Sequence, residues 1–232
     1  MSTSTPSRPA ARRKTARVKP ATTPQAPRPN LREQQKEATR AAILQAALLV
    51  FSEHGFNGAS TRDIAAQAGV HHALIKYYYQ SKDLLWRAAV SYLFERQAKE
   101  LMFQPPAGPM TRAARREEAR AALRRYVLYC ARHPEHARLM VQESVRDSAR
   151  LQWATKHFIS NASHAAEAFV RALQKDGLLP PASAPALVYI IVGAAQSFYT
   201  LAPEVRRVWN MDPADETVMN AHIDALVAVF IR

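Results

Sequence analysis

The sequence predicts an all-α protein, on three observations. No run of strand length alternates apolar with polar side chains, Gly is scarce at 6 of 232 residues while Ala is abundant, and apolar residues recur at three- and four-residue spacing in one segment after another. The length allows one large domain or a small domain joined to a medium one, with a substantial core. Hydrophobic residues at 48% and charged residues at 22% are ordinary for a globular chain.

Residues 1–29 read as a disordered arm, with six prolines, many Ser, Thr and Ala, and no acidic side chain. Arg8, Arg12, Arg13, Lys14, Arg17, Lys19, Arg28 and Arg32 account for 8 of the 32 Lys and Arg, which leaves +5 of the formal +13 on residues 33–232. Such an arm either contacts DNA phosphates and a minor groove or solubilises the chain.

Order begins where Asn30 and Glu33 offer a cap and a first-turn carboxylate, and the spacing predicts a helix to about His54 with Ile43, Ala46, Ala47, Val50 and Phe51 inward. Gly55 ends it. Ser60 caps a short helix with Asp63 as its capping-box partner and Ile64, Ala65 and Ala68 inward; Gly69 breaks that helix. A second short helix spans about 71–78. Ser81 then caps a helix whose apolar side is Leu84, Leu85, Ala88, Ala89, Tyr92 and Leu93. Pro105, Pro106, Gly108 and Pro109 mark a loop. Further helices are expected over about 111–132, 134–147, 150–175, 183–201 and 215–231, with breaks at Pro134, 177–181 and 203–213.

The net charge of +13 and pI near 10.3 suit a polyanionic partner, either nucleic acid or an anionic membrane surface. Cys130 is the one cysteine, so an intramolecular disulfide and a thiolate zinc site are both excluded, and it is expected to be a buried small hydrophobe. The N-terminus has no apolar signal region, and the most apolar stretch, 187–195, falls far short of the ~20 residues a spanning helix needs. A soluble cytoplasmic protein with no membrane partner and no cofactor is expected.

The informative stretch is 60–79: a short helix, a tight Gly-centred turn and a second short helix, the layout of a helix-turn-helix. Small residues at Ala65 and Ala68 let the two helices cross closely. On the second helix Leu74 and Ile75 are expected to hold it to the bundle, which leaves His71, His72, Lys76, Tyr77 and Tyr78 to hydrogen-bond outward. Residues at the start of such a helix reach base edges in a major groove about 12 Å wide. Tyr77, Tyr78 and Lys82 come later and suit phosphate oxygens, since a phenol and an ammonium are donors. Tyr79 is expected to be packed. Adjacent histidines do not share a helix face, so His71 and His72 are not expected to bind a metal.

Residues Ser60, Thr61, Ile64, Ala65, Ala68, Gly69 and Val70, followed by Leu74, Ile75, Lys76, Tyr77, Tyr78, Tyr79, Ser81, Lys82, Leu84 and Leu85, resemble the signature of the tetracycline-repressor (TetR) family over about residues 38–85. The resemblance implies a three-helix DNA-binding head over residues 30–79, and a larger helical domain over 80–232 with a ligand cavity. It also implies a homodimer built largely by the last two helices. Position by position it makes Thr61 a phosphate contact, His71 and His72 base-proximal, Tyr77 and Tyr78 phosphate contacts and Lys82 a backbone anchor. The family often has Gly where this chain has Ala73, and Tyr where it has Lys76, so either of these two positions could be the one that touches bases.

Beyond residue 111 the reading rests on pattern. Trp153, Phe158, Ile159, Ala162, Phe169, Val170 and Leu173 form a broad apolar stripe, which belongs to a core more often than to a ligand site. Tyr126, Tyr129, Met140, Trp153, Phe158, Tyr189 and Phe198 are the large side chains expected at an effector pocket. His133-Pro134-Glu135-His136 reads as a helix start rather than a metal site. The helices over 183–201 and 215–231 are apolar on more than one side, notably at Leu187, Ile190, Ile191, Ala194, Ala195 and Phe198, then Val218, Met219, Ile223, Leu226, Val229 and Phe230, which a symmetric partner would cover.

The expected function is sequence-specific transcriptional regulation. A homodimer would repress from a pseudo-palindromic DNA operator with half-sites ~34 Å apart or a multiple of it, and an apolar or amphipathic small-molecule effector would release it. An architectural DNA-coating protein driven by the arm is a rival. An enzyme is a weaker one, since no nucleophile-base pair, glycine-rich phosphate loop or metal-ligand set is recognisable.

Overall fold

The computed structural model describes residue 1 and residues 31–102 and 110–232. The basic arm, the Asn30 cap and the proline loop at 105–109 lie outside the described residues. Within them every regular element is helical.

Helix α1, Leu31–Gly58, turns Ile43, Ala46, Ala47, Leu48, Val50 and Phe51 inward. At Gly55 the backbone leaves helical geometry with φ 66° before a last turn to Gly58. An L-residue resists that φ, and a Cβ there would meet the Gln142 side chain at 3.2 Å. The helix therefore bends where its end was expected rather than stopping.

Helices α2, Thr61–Gln67, and α3, His72–Tyr79, follow, joined through Gly69 at φ 66°. Ser60 caps α2 by accepting from the Asp63 N–H at 3.1 Å and donating its hydroxyl to the Asp63 carboxylate at 2.6 Å. Helix α4, Lys82–Leu101, is capped by Ser81. Its buried stripe is Leu85, Trp86, Ala89, Val90 and Leu93, whereas Leu84 is exposed. At ~100° per residue that stripe lies roughly a quarter turn from the expected one, on the side centred opposite Leu84. Trp86 claims that side because it fits between the head and the rest of the bundle.

Helix α5 spans Arg112–Arg132 and α6 spans Pro134–Ser144, the latter starting with Pro134 in its first turn and Glu135 beside it. Ser148 ends the loop after α6 by capping α7, Ala149–Ala154. One π turn, Thr155–Ile159, then leads directly into α8, Ser160–Lys175. Next come α9, Ala184–Thr200, α10, Ala202–Trp209, and α11, Glu216–Phe230. Helix α10 occupies most of a stretch expected to be irregular. Pro203 lies in its first turn, where a missing N–H costs nothing, so this proline begins a helix rather than forbidding one.

Two buried clusters hold the chain together. In the first, Ile43, Phe51, Ile64 and Ile75 meet Leu85, Trp86, Leu93, Leu139 and Ala154. The boundary drawn at residue 80 falls inside this cluster, whose members come from both sides of it. The second joins α5, α8, α9 and α11 through Leu123, Val127, Val170, Leu173, Leu187, Tyr199, Ile223 and Leu226. Cys130 is buried in it. Among the described residues no single helix is long and apolar enough to cross a membrane.

Candidate nucleic-acid interface and internal cavity

The short crossing of α2 and α3 is set by the chain reversal at Gly69. The Gly69 N–H bonds the Ala66 carbonyl at 3.1 Å and the Val70 N–H reaches back to Ala65 at 3.0 Å, which satisfies the carbonyls at the end of α2. Ile75 and Tyr79 are buried and anchor α3; Leu74 and Tyr78 are half-buried. His72, Ala73, Lys76 and Tyr77 face solvent, with Tyr77 at 73% exposure. The Tyr77 and Tyr78 rings lie edge to face at 5.1 Å.

His71 is the N-cap of α3: its Nδ1 accepts from the Ala73 N–H at 3.3 Å, so the proton of the neutral ring is on Nε2, a donor facing outward. His72 Nε2 lies 2.9 Å from Thr61 Oγ1 and ties the start of α3 to the start of α2. Lys82 Nζ donates to the Asn57 carbonyl at 3.3 Å and sits 4.8 Å from the Phe56 ring centroid, which steadies its ammonium at the N-terminus of α4. Arg62, exposed on α2, is a further cation that the sequence reading passed over. This face is therefore exposed, polar and rich in donors.

A cavity of about 650 Å³ lies among α4, α5, α6, α8, α9 and α11. Of the residues expected at a pocket, Tyr126, Met140 and Tyr189 line it. Tyr129 instead lines a much smaller space beside it, with Tyr126, Cys130, His133 and His136. Trp153 and Phe158 belong to the first cluster, where Trp153 meets Trp86 edge to face at 6.1 Å and Phe158 stacks on Phe94 at 4.9 Å. Phe198 packs against His222 at 4.7 Å. These three bulky residues fill space rather than border it. The reading missed Arg125, Val188, Ile191 and Phe230, which do line the cavity.

A polar network closes one side. Arg96 bonds the Glu135 carboxylate at 2.6 Å, with its charge near the Tyr129 phenol. The Tyr129 hydroxyl in turn lies within hydrogen-bond distance of His136 Nδ1, at 2.7 Å. His133 Nε2 meets Glu100 at 2.8 Å, so both histidines of the HPEH run have protein partners. Burial first, then the nearby Arg96 charge, hold the His136 imidazolium down to about 3. Burial also pushes the Cys130 thiol up to about 12 and lifts the Tyr126 and Tyr129 phenols.

Because the His136 pKa lies below the unfolded value, the unfolded chain takes up the proton first as pH falls. The stabilisation is full above the unfolded pKa and is lost below it. Unfolding free energy is expected to drop by ~2 kcal/mol between about pH 7.5 and 5 through His136 alone, with His222 acting in the same sense because burial lowers it too. Chemical denaturation at the two pH values should show His136→Gln to be shallower by that amount, and equal slopes would contradict the buried neutral ring.

Helix α6 has one face on each region. Ala137, Met140 and Val141 line the cavity. Leu139 is fully buried against the head, and Gln142 Nε2 donates to the Ser52 carbonyl of α1 at 2.7 Å. Glu143, 5% exposed, accepts from Arg150 Nε at 3.1 Å and from the Ser148 hydroxyl at 2.9 Å. The Arg150 guanidinium in turn lies 3.8 Å from the Phe56 ring centroid.

A helical architecture that pairs the donor-rich second helix of a helix-turn-helix with a separate cavity suits a DNA-binding regulator. The model of bacterial regulatory proteins of the tetR family matches residues 43–89. Over 176 residues the chain is 30% identical to the HTH-type transcriptional repressor SCO4008 of Streptomyces coelicolor, spanning 74% of this chain and 83% of that one. It is 28% identical over 200 residues to the HTH-type transcriptional regulator RutR of Escherichia coli, spanning 84% and 90%. Its fold matches AibR, solved in complex with isovaleryl coenzyme A and operator DNA, with TM-score 0.64 and 16% identity over 83% of this chain and 97% of that one. The chain belongs to the TetR family, and it is a DNA-binding transcriptional regulator.

Proposed function

We propose that the protein is a cytoplasmic homodimeric repressor, without catalytic activity, that leaves a pseudo-palindromic operator when a small molecule occupies the cavity. The observation that carries this reading is the double contact of α6, which borders the cavity with Met140 and Val141 and grips the head with Leu139 and Gln142. A ligand that displaces Met140 moves the same helix that holds α1. The coupling required is only ~1–3 kcal/mol.

Within this reading residues 30–79 are the reading head and 80–232 the sensing and dimerising domain. His71, His72 and Lys76 address base edges, while Thr61, Tyr77, Tyr78 and Lys82 address phosphates. Apolar residues left outside on α9 and α11, Ile190 at 53% and Val229 at 73% exposure, give a second copy a surface to cover, and two copies supply two heads. The AibR complex, with acyl coenzyme A and operator DNA on one protein of this fold, supports the pairing of the two sites.

Selection of bound genomic fragments followed by sedimentation of the complex tests the proposal. An inverted repeat occupied by two chains is the expected result. Equal affinity for every fragment, or one chain per duplex, would overturn it.

A further inference from the structure

The lining of the cavity has one formal charge. Among the described residues Arg125 of α5 is the only charged side chain that borders it, and no carboxylate does. Arg125 is half-buried and makes no ion pair or hydrogen bond among the described residues. Of the other arginines of the same helix, Arg115 pairs with Asp176 at 2.9 Å, Arg120 with Glu117 at 3.2 Å and Arg132 with Glu100 at 3.0 Å, while Arg116 and Arg124 share the lack of a carboxylate partner among the described residues but do not border the cavity. A guanidinium keeps its charge at any physiological pH, and partial burial strips part of its hydration, so a half-buried one without a partner favours an anion from outside the chain. Its planar fork matches the two oxygens of a carboxylate or phosphate.

The rest of the lining divides in two. Phe94, Leu123, Met140, Val170, Ile191 and Phe230 are apolar and suit a hydrocarbon chain or ring system. Gln97, Tyr126 and Gln196 are uncharged donors and acceptors, and desolvation together with the Arg96 charge lowers the His136 pKa and so favours its neutral ring. A volume of about 650 Å³ is in the range of pockets that enclose whole small ligands (roughly 300–1,000 Å³) and is far larger than one ion requires.

We propose that the effector is an amphipathic anion: an apolar body of medium length with a carboxylate or phosphate head that pairs with Arg125. This rests on the cavity being the effector site, as proposed above.

Isothermal titration of the full chain with decanoate, decyl phosphate, decanol and decylamine tests it, with Arg125→Gln and Arg125→Lys alongside. At least one of the two anions is expected to bind about ten- to a hundredfold more tightly than decanol, the gain of a charge-assisted pair. The stronger of the two identifies the head group. Arg125→Gln should erase that preference while leaving decanol affinity unchanged, and Arg125→Lys should keep part of it. Equal binding of anion and alcohol by the unaltered protein, or equal loss of both in Arg125→Gln, overturns the anion assignment and leaves the cavity reading standing. If none of the four probes binds while the protein still holds its operator, the cavity reading itself falls.

Discussion

Arg150→Ala is expected to cost the fold about 3–5 kcal/mol, far more than an exposed ion pair would. Its partner Glu143 is 5% exposed, and without the guanidinium that carboxylate keeps only the Ser148 hydroxyl at 2.9 Å. The substitution also removes the cation from above Phe56, at 3.8 Å from the ring centroid, next to the bend at Gly55. Arg150→Met combined with Glu143→Gln should restore most of the loss, because the desolvated charge is gone and the apolar contact is kept. Denaturation midpoints of the single and double variants decide the matter. A cost below about 1 kcal/mol for Arg150→Ala would mean that the pair is effectively solvated and that the head is not clamped there.

The same residues show why the head and the motif were legible in the sequence while the clamp was not. Ser60, Gly69 and Ser81 act on neighbours within four residues, so their caps and turns follow from local chemistry, and the close packing of α2 on α3 follows from Ala65. Gln142 bonding Ser52 spans 90 residues, and nothing in either local pattern announces it. The stripe of α4 was misplaced by roughly a quarter turn because Leu84 and Trp86 are both apolar, and periodicity alone does not say which meets a partner. Cavity lining was harder still. Trp153, Phe158 and Phe198 fill space while Val188 and Ile191 border it, yet all five have the pattern of core residues. Arg125 was one arginine among many on α5, and only its place on the cavity wall makes it distinctive.

On the DNA side the largest expected effect comes from Tyr77→Ala with Lys82→Ala, which should weaken operator binding about a hundredfold, with each lost contact removed from both heads of a dimer. Lys82→Ala alone takes two cations from the phosphates, so the slope of log affinity against log salt should become shallower by about 1.8. The hydrogen bond of Lys82 to Asn57 offers a competing account in which this lysine only tethers α4 to the end of α1. In that case affinity would fall with no change in salt slope, and the melting temperature would fall with it. His72 poses the opposite problem, because its Nε2 meets Thr61 at 2.9 Å. If the ring serves only as a strut between α2 and α3, His72→Ala weakens specific and random DNA by the same factor. A base-reading ring predicts otherwise: competition binding against operators varied one base pair at a time should show discrimination relaxed by about 1–3 kcal/mol at one position of each half-site and preserved at the others.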